Sequence, residues 1–202
     1  MWKLQAGRFP DSEQAHRMST AGWLNFLMYE VGWLACVLGA AWGFGGPGSA
    51  FASLLVAVHI GLATERSIEL RLAFVSLLLG CIVDTICIRA GVLHFAERGL
   101  IPGFPPFWMT VLWVQFATTL RYSLSWLQGH LLLAGIFGLV GAPAAFLGGA
   151  RLGAVRLCSP AFPGLLLLGV LWAIAMPLLV WLSRRLGRQH VSAGYLLPQR
   201  TG

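Results

Sequence analysis

Glu30, His59 and Asp84 are ionisable side chains set inside long apolar runs, and any chemistry this chain performs is expected there. A carboxyl or an imidazole in such surroundings can move a proton, hold a cation or the polar end of an amphiphile, or hydrogen-bond a neighbouring helix. Inserting one at membrane depth costs about 2.5–3.5 kcal/mol, so each should face a bundle interior with a partner or a task. Counted from the nearest cytoplasmic span end at about 1.5 Å per residue, Glu30 lies about 12 Å deep, His59 about 9 Å, Gln115 about 13 Å and Asp84 about 20 Å. The first three share a layer, with Asp84 towards the opposite half. With Asn25, Trp33 and Trp113 they form a candidate polar cavity. The competing account is interhelical hydrogen-bond glue, typically about 0.6 kcal/mol per contact.

Helical spacing groups these residues with others. Ser76, Gly80, Asp84, Cys87 and Gly91 recur every three or four positions and share one face. Gln115, Thr118, Thr119, Tyr122, Ser123 and Trp126 make a polar side of the same kind, as do Asn25, Tyr29, Trp33 and Cys36. Stronger signatures are absent: the chain has no GxSxG elbow, HExxH pair, Walker A loop or paired CxxC. His59, Glu30 and Asp84 fall on three different helices without a spaced pair, so neither a metal nor another cofactor is expected. Cys36, Cys81, Cys87 and Cys158 lack metal-type spacing, and a disulfide framework is not expected.

The elements that must position these side chains follow from composition. Hydrophobic residues make up 57% of the chain and charged residues 10%, against roughly 25% charged in a soluble domain. A water-soluble fold would lack the polar surface to cover itself. Six stretches approach the roughly 20 apolar residues that cross a bilayer core: 22–44, 47–64, 70–93, 104–124, 126–149 and 163–183. Each is apolar nearly all round, so the expected fold is all-α, a polytopic transmembrane helical bundle.

Ten of the 14 Lys and Arg residues fall on one side: Lys3, Arg8, Arg17, Arg66, Arg71, Arg121, Arg184, Arg185, Arg188 and Arg200. Arg89, Arg98, Arg151 and Arg156 fall on the other. The positive-inside rule puts both termini in the cytoplasm, of a bacterial inner membrane. Residues 1–21 are then a cytoplasmic arm, 22–183 the membrane domain and 184–202 a basic cytoplasmic tail. The net charge of +7 reads as attraction to anionic lipid headgroups. Basic residues spread over loops make no nucleic-acid stripe, so membrane lipids and not nucleic acids are the expected partners.

Gly141, Ala145, Gly149 and Gly153 recur every four residues and predict a close-packing groove. It would serve either a helix contact within the bundle or docking of a second copy or a membrane partner. Pro143 and Pro177 predict local kinks. Trp23, Trp42, Trp108, Trp126 and Trp181 lie near predicted span ends, where indoles favour the interface, whereas Trp33, Trp113 and Trp172 lie deeper.

The order of Asn25 with Gly32 and Trp33, Asp84, the run Leu112, Trp113, Phe116, Ala117, Thr118, Thr119, Leu120 with Ser123, Trp126 and Leu127, and Gly149 to Ala154 resembles a bacterial family of small proteobacterial inner-membrane proteins, domain of unknown function 2878. The resemblance covers about 22–183. The family pattern has Gln where Glu30 stands, and Asn and His where Arg121 and Tyr122 stand, so a catalytic scheme built on Glu30 or Arg121 gains nothing from it. Its members resemble companions of enzymes that modify membrane fatty acids, such as cyclopropane-fatty-acid-synthase-like proteins, which implies a lipid-related setting without a reaction. Three functions compete. One is binding or moving a lipid-like or small amphiphilic molecule in the polar cavity. A second is an intramembrane lipid-modifying enzyme with His59 or Glu30 as base and Arg121 or Arg151 holding phosphate. The third is a scaffold docking through Gly141 to Gly153.

Overall fold

A computed structural model describes residues 20–97 and 99–195. Most of the expected N-terminal arm, and the tail beyond Tyr195, lie outside the described residues. Among the described residues six α-helices follow in order: α1 (Thr20–Ala41), α2 (Gly45–Leu62), α3 (Arg66–Arg89), α4 (Phe107–Ala117), α5 (Leu131–Leu152) and α6 (Ala161–Tyr195). All but α4 are long and apolar enough to cross a membrane. Their outer faces expose large apolar side chains such as Phe74 at 60%, Leu132 at 81% and Ile174 at 65%. Such surfaces are unfavourable in water and suited to lipid. This is a helical membrane bundle.

Two short strands, β1 (Leu93–Phe95) and β2 (Val155–Leu157), pair antiparallel with Leu93 opposite Leu157 and Phe95 opposite Val155. They tie the α3–α4 connection to the α5–α6 connection at one end of the bundle. The backbone N–H of Gly45 donates to Glu97 Oε1 at 3.2 Å, bringing the α1–α2 turn to that same end. Trp108, expected at an interface, is instead 2% exposed. The strand ladder caps it, and Phe95 packs edge-on at 5.5 Å between ring centroids.

The fourth apolar stretch differs most from expectation. Its α-helix has 11 residues, about 16 Å of rise, where 104–124 predicted a full span. Pro105 and Pro106 precede its first turn. At its far end the backbone tightens: the N–H groups of Thr118, Thr119 and Leu120 bond three residues back, to Gln115, Phe116 and Ala117. The Thr118 and Thr119 hydroxyls also donate to the carbonyls of Gln115 and Phe116, at 2.7 Å each. Turns then lead to a 3-10 turn at Ser125–Leu127. Irregular backbone at membrane depth is tolerated where protein surrounds it, and residues 116–120 are all buried. Consequently α5 begins at Leu131, later than the 126 expected, while α6 continues for 35 residues through Tyr195, taking in much of the segment expected as a tail.

Small residues set the helix contacts. On α5 the buried positions Ala134, Gly138 and Ala142 form the stripe facing α6. A Cβ at Gly138 would overlap the Trp172 carbonyl, and one at Gly169 would lie 2.7 Å from Leu139 O. The two helices also exchange a proline contact. A Cβ built at Gly169 would lie 3.3 Å from Pro143 Cγ, and one at Gly135 would lie 3.6 Å from Pro177 Cγ. Each ring occupies space that a glycine on the opposite helix leaves free.

Candidate functional site

One face of α1 presents Phe26, Tyr29, Glu30, Trp33 and Val37, at spacings that stack along a helix. Opposite them stand Gly141, Ala145 and Gly149 of α5. Between lies a cleft of about 220 Å³, floored by Trp113 and Phe116 of α4 and by Trp172 of α6. It runs from Val155 of β2 to Ser123 near the other end. Phe26 and Phe137, each 38% exposed, mark where it reaches the bundle surface between α1 and α5. Three residues expected to form a packing groove therefore line a cavity. A Cβ at Gly141 would meet only the Phe137 ring of its own helix, at 3.7 Å. Gly153 instead caps α5, at φ +93°, a conformation that favours glycine.

The cavity wall is held by α3. Trp113 stacks on Trp172 with centroids 4.3 Å apart, and Phe116 meets Trp172 edge-on at 5.4 Å. Trp113 Nε1 donates to Asp84 Oδ2 at 2.9 Å, and Ser76 Oγ donates to the Trp113 carbonyl at 2.7 Å. Gly80 lies where a side chain would overlap the Trp113 indole. Asp84 is 0% exposed and does not line the cavity; it positions a residue that does. Its Oδ1 and the indole N–H groups of Trp108 and Trp172 have no hydrogen-bond partner among the described residues.

The other polar candidates lie elsewhere. Asn25 Nδ2 donates to the Thr118 carbonyl at 3.1 Å, and its Oδ1 accepts from Ser123 Oγ at 2.8 Å and Ser123 N–H at 3.3 Å. One side chain thus satisfies the irregular backbone after α4. The same amide lies 3.4 Å from His59 Nδ1, and His59 Nε2 faces Glu69 Oε2 at 3.4 Å. Glu69, 2% exposed, accepts from Arg121 Nη1 at 3.0 Å, and Arg121 also pairs with Glu65. Gln115 Nε2 donates to the carbonyls of Met28 and Tyr29, at 3.0 and 3.3 Å, over the gap left by Gly32.

The seven polar and indole candidates are therefore divided. Glu30, Trp33 and Trp113 line the cleft, Asp84 sits behind Trp113, and Asn25, His59 and Gln115 join helices on the other side of α1. Sequence reasoning did not include Glu65, just before α3, or Glu69 in its first turn. The available signal was their i, i+4 spacing together with Arg121, a cation at the end of an apolar run. Among the described residues, no three His, Cys, Asp or Glu side chains gather as metal ligands.

Fold and cleft together define a polytopic helical membrane protein with an aromatic intramembrane cavity. The family described as Protein of unknown function (DUF2878) matches residues 22–178, and the chain belongs to that family. No curated protein and no solved structure matches it.

Proposed function

We propose that this protein binds, or passes along its length, a small amphiphilic or lipid-like molecule held in the cleft between α1 and α5. The carrying observation is the cleft itself. It is lined by large aromatic residues on α1, α4 and α6 and kept open by small ones, Gly141, Ala145 and Gly149, on α5. Ligand sites are mostly apolar with a few placed polar groups, and here Glu30 and Tyr29 supply them. The volume limits the occupant. A cavity of about 150 Å³ holds a benzene, while drug-sized sites run to roughly 300–1,000 Å³. About 220 Å³ therefore suits one chain segment or one compact molecule, and not a two-chain lipid. On this reading the polar network of Asn25, His59, Glu69 and Arg121 is structural, and a catalytic use of Arg121 to hold phosphate is disfavoured by its two carboxylate partners.

The excess of Lys and Arg beside the α2–α3 turn and along the α6 end supports an inner-membrane setting with both termini cytoplasmic. Mass spectrometry of amphiphiles that copurify with the protein tests the reading. Wild type should retain a species that Gly141→Leu, which fills the cleft, excludes. Equal retention by both, or none by either, would refute it.

A further inference from the structure

We infer that the occupant of the cleft is a lipophilic monocation, an ammonium or quaternary ammonium group on an apolar body. The inference rests on the cleft being a binding site and names the chemistry it selects. Glu30 carries the argument. It stands halfway along α1 (Thr20–Ala41) and lines the cleft, half-buried. No hydrogen bond or ion pair reaches its carboxyl from the described residues. Three other buried ionisable groups are engaged: His59 with Asn25 and Glu69, Glu69 with Arg121, and Asp84, through one oxygen, with Trp113. A carboxyl at that depth with no protein partner is expensive to keep, and a cation in the cleft would complete it.

The rest of the lining agrees in sign. Among the described residues it holds no Lys, Arg or His, so none of them would offset the repulsion between Glu30 and a bound anion, which is strong where water is scarce. Tyr29, Trp33, Phe116 and Trp172 supply π-systems, the surface on which quaternary ammonium groups are recognised. Depth excludes a resident phospholipid headgroup, which stays at the interface whereas Glu30 lies near mid-helix. The cleft is also too small for two chains. A compact lipophilic amine meets both conditions.

The test compares three octyl probes of equal chain length in maltoside micelles: octyltrimethylammonium, octyl glucoside and octyl sulfate. Equilibrium dialysis against protein-free micelles gives specific binding. Wild type should bind the ammonium at least about tenfold tighter than the other two. Glu30→Gln should bring the ammonium to the level of the glucoside and leave the glucoside unchanged. Trp33→Leu should weaken the ammonium selectively, and Gly141→Leu should abolish specific binding of all three. Equal binding of the probes by wild type, blocked by Gly141→Leu, would overturn the cation preference and leave the amphiphile reading standing. Ammonium selectivity that survives Glu30→Gln would overturn the assignment to this cleft. Absence of specific binding by any probe would overturn both.

Discussion

Gly138 and Gly141 stand three residues apart on α5 and should respond oppositely to one added methyl group. At Gly138 the new Cβ would overlap the Trp172 carbonyl and approach Met176 Cβ to 3.0 Å. The first neighbour is backbone inside a helix and cannot rotate away, so α5 and α6 must separate. Overpacking of this kind costs about 1–3 kcal/mol, and the gain in helix propensity from Gly to Ala returns up to about 1 kcal/mol. With the full propensity gain the net for Gly138→Ala is then a loss of up to about 2 kcal/mol. At Gly141 the nearest atom outside its chain neighbours is Phe137 Cε1 at 3.7 Å, an ordinary contact, so only the propensity term applies and Gly141→Ala should gain about 0.5–1 kcal/mol. Thermal unfolding of both variants in detergent measures the difference, at roughly 2–4 °C per kcal/mol for a chain of this size. If Gly138→Ala melts at or above wild type, or if Gly141→Ala is the more damaging of the two, the close contact does not run along Ala134, Gly138 and Ala142 as argued.

Removing Asp84 should act through Trp113. Asp84→Leu strands a buried indole N–H and should cost about 1–3 kcal/mol, whereas Asp84→Asn keeps an acceptor and should melt close to wild type; equal melting of both variants would show the bond to be unimportant. Arg121→Ala leaves Glu69 buried beside His59 without its cation and should destabilise by about 3–5 kcal/mol, read as a lower unfolding midpoint in detergent; an unchanged midpoint would mean that water reaches the site. Reporter fusions at Gly48, Thr64, Gly99 and Gly202 should report Thr64 and Gly202 as cytoplasmic and the other two as periplasmic; a cytoplasmic signal at Gly48 or Gly99 would contradict the orientation read from the basic residues.

Most of the spans were legible because burial in lipid is a property of composition, and α1, α2 and α3 lie close to their expected bounds. The end of α4 was not, because it depends on contacts between distant segments. Thr118 and Thr119 tolerate helix, and only the approach of Asn25 from α1 gives the released carbonyl and amide groups their partners. The packing stripe on α5 was ambiguous for a different reason. Ala134, Gly138 and Ala142 repeat every four residues just as Gly141, Ala145 and Gly149 do, so periodicity supplies two faces. The choice between them rests on where Trp172 and Leu139 fall across the α5–α6 contact, which no local pattern records. Grouping Glu30, His59 and Gln115 by depth had the corresponding limit: depth along a helix says nothing about the face, and Glu30 looks towards α5 while Asn25 and Gln115 join α1 to α4.

The same physical device, a bulky side chain seated where a glycine leaves room, builds the cavity wall and holds the short helix in the bundle. Trp113 lies over Gly80 of α3, and Gln115 lies over Gly32 of α1. Each is then fixed by hydrogen bonds, Trp113 to Asp84, and Gln115 to the Met28 and Tyr29 carbonyls. A helix of 11 residues is too short for its end-to-end contacts alone to set its rotation, and these insertions on two sides can set it. With α4 so oriented, Trp113 and Phe116 border the space between α1 and α5, where α5 presents Gly141 and Ala145. The cleft therefore follows from where glycines stand on α1 and α3 as much as from where they stand on α5. This accounts for how Asp84, fully buried and outside the cleft, bears on what the cleft can bind.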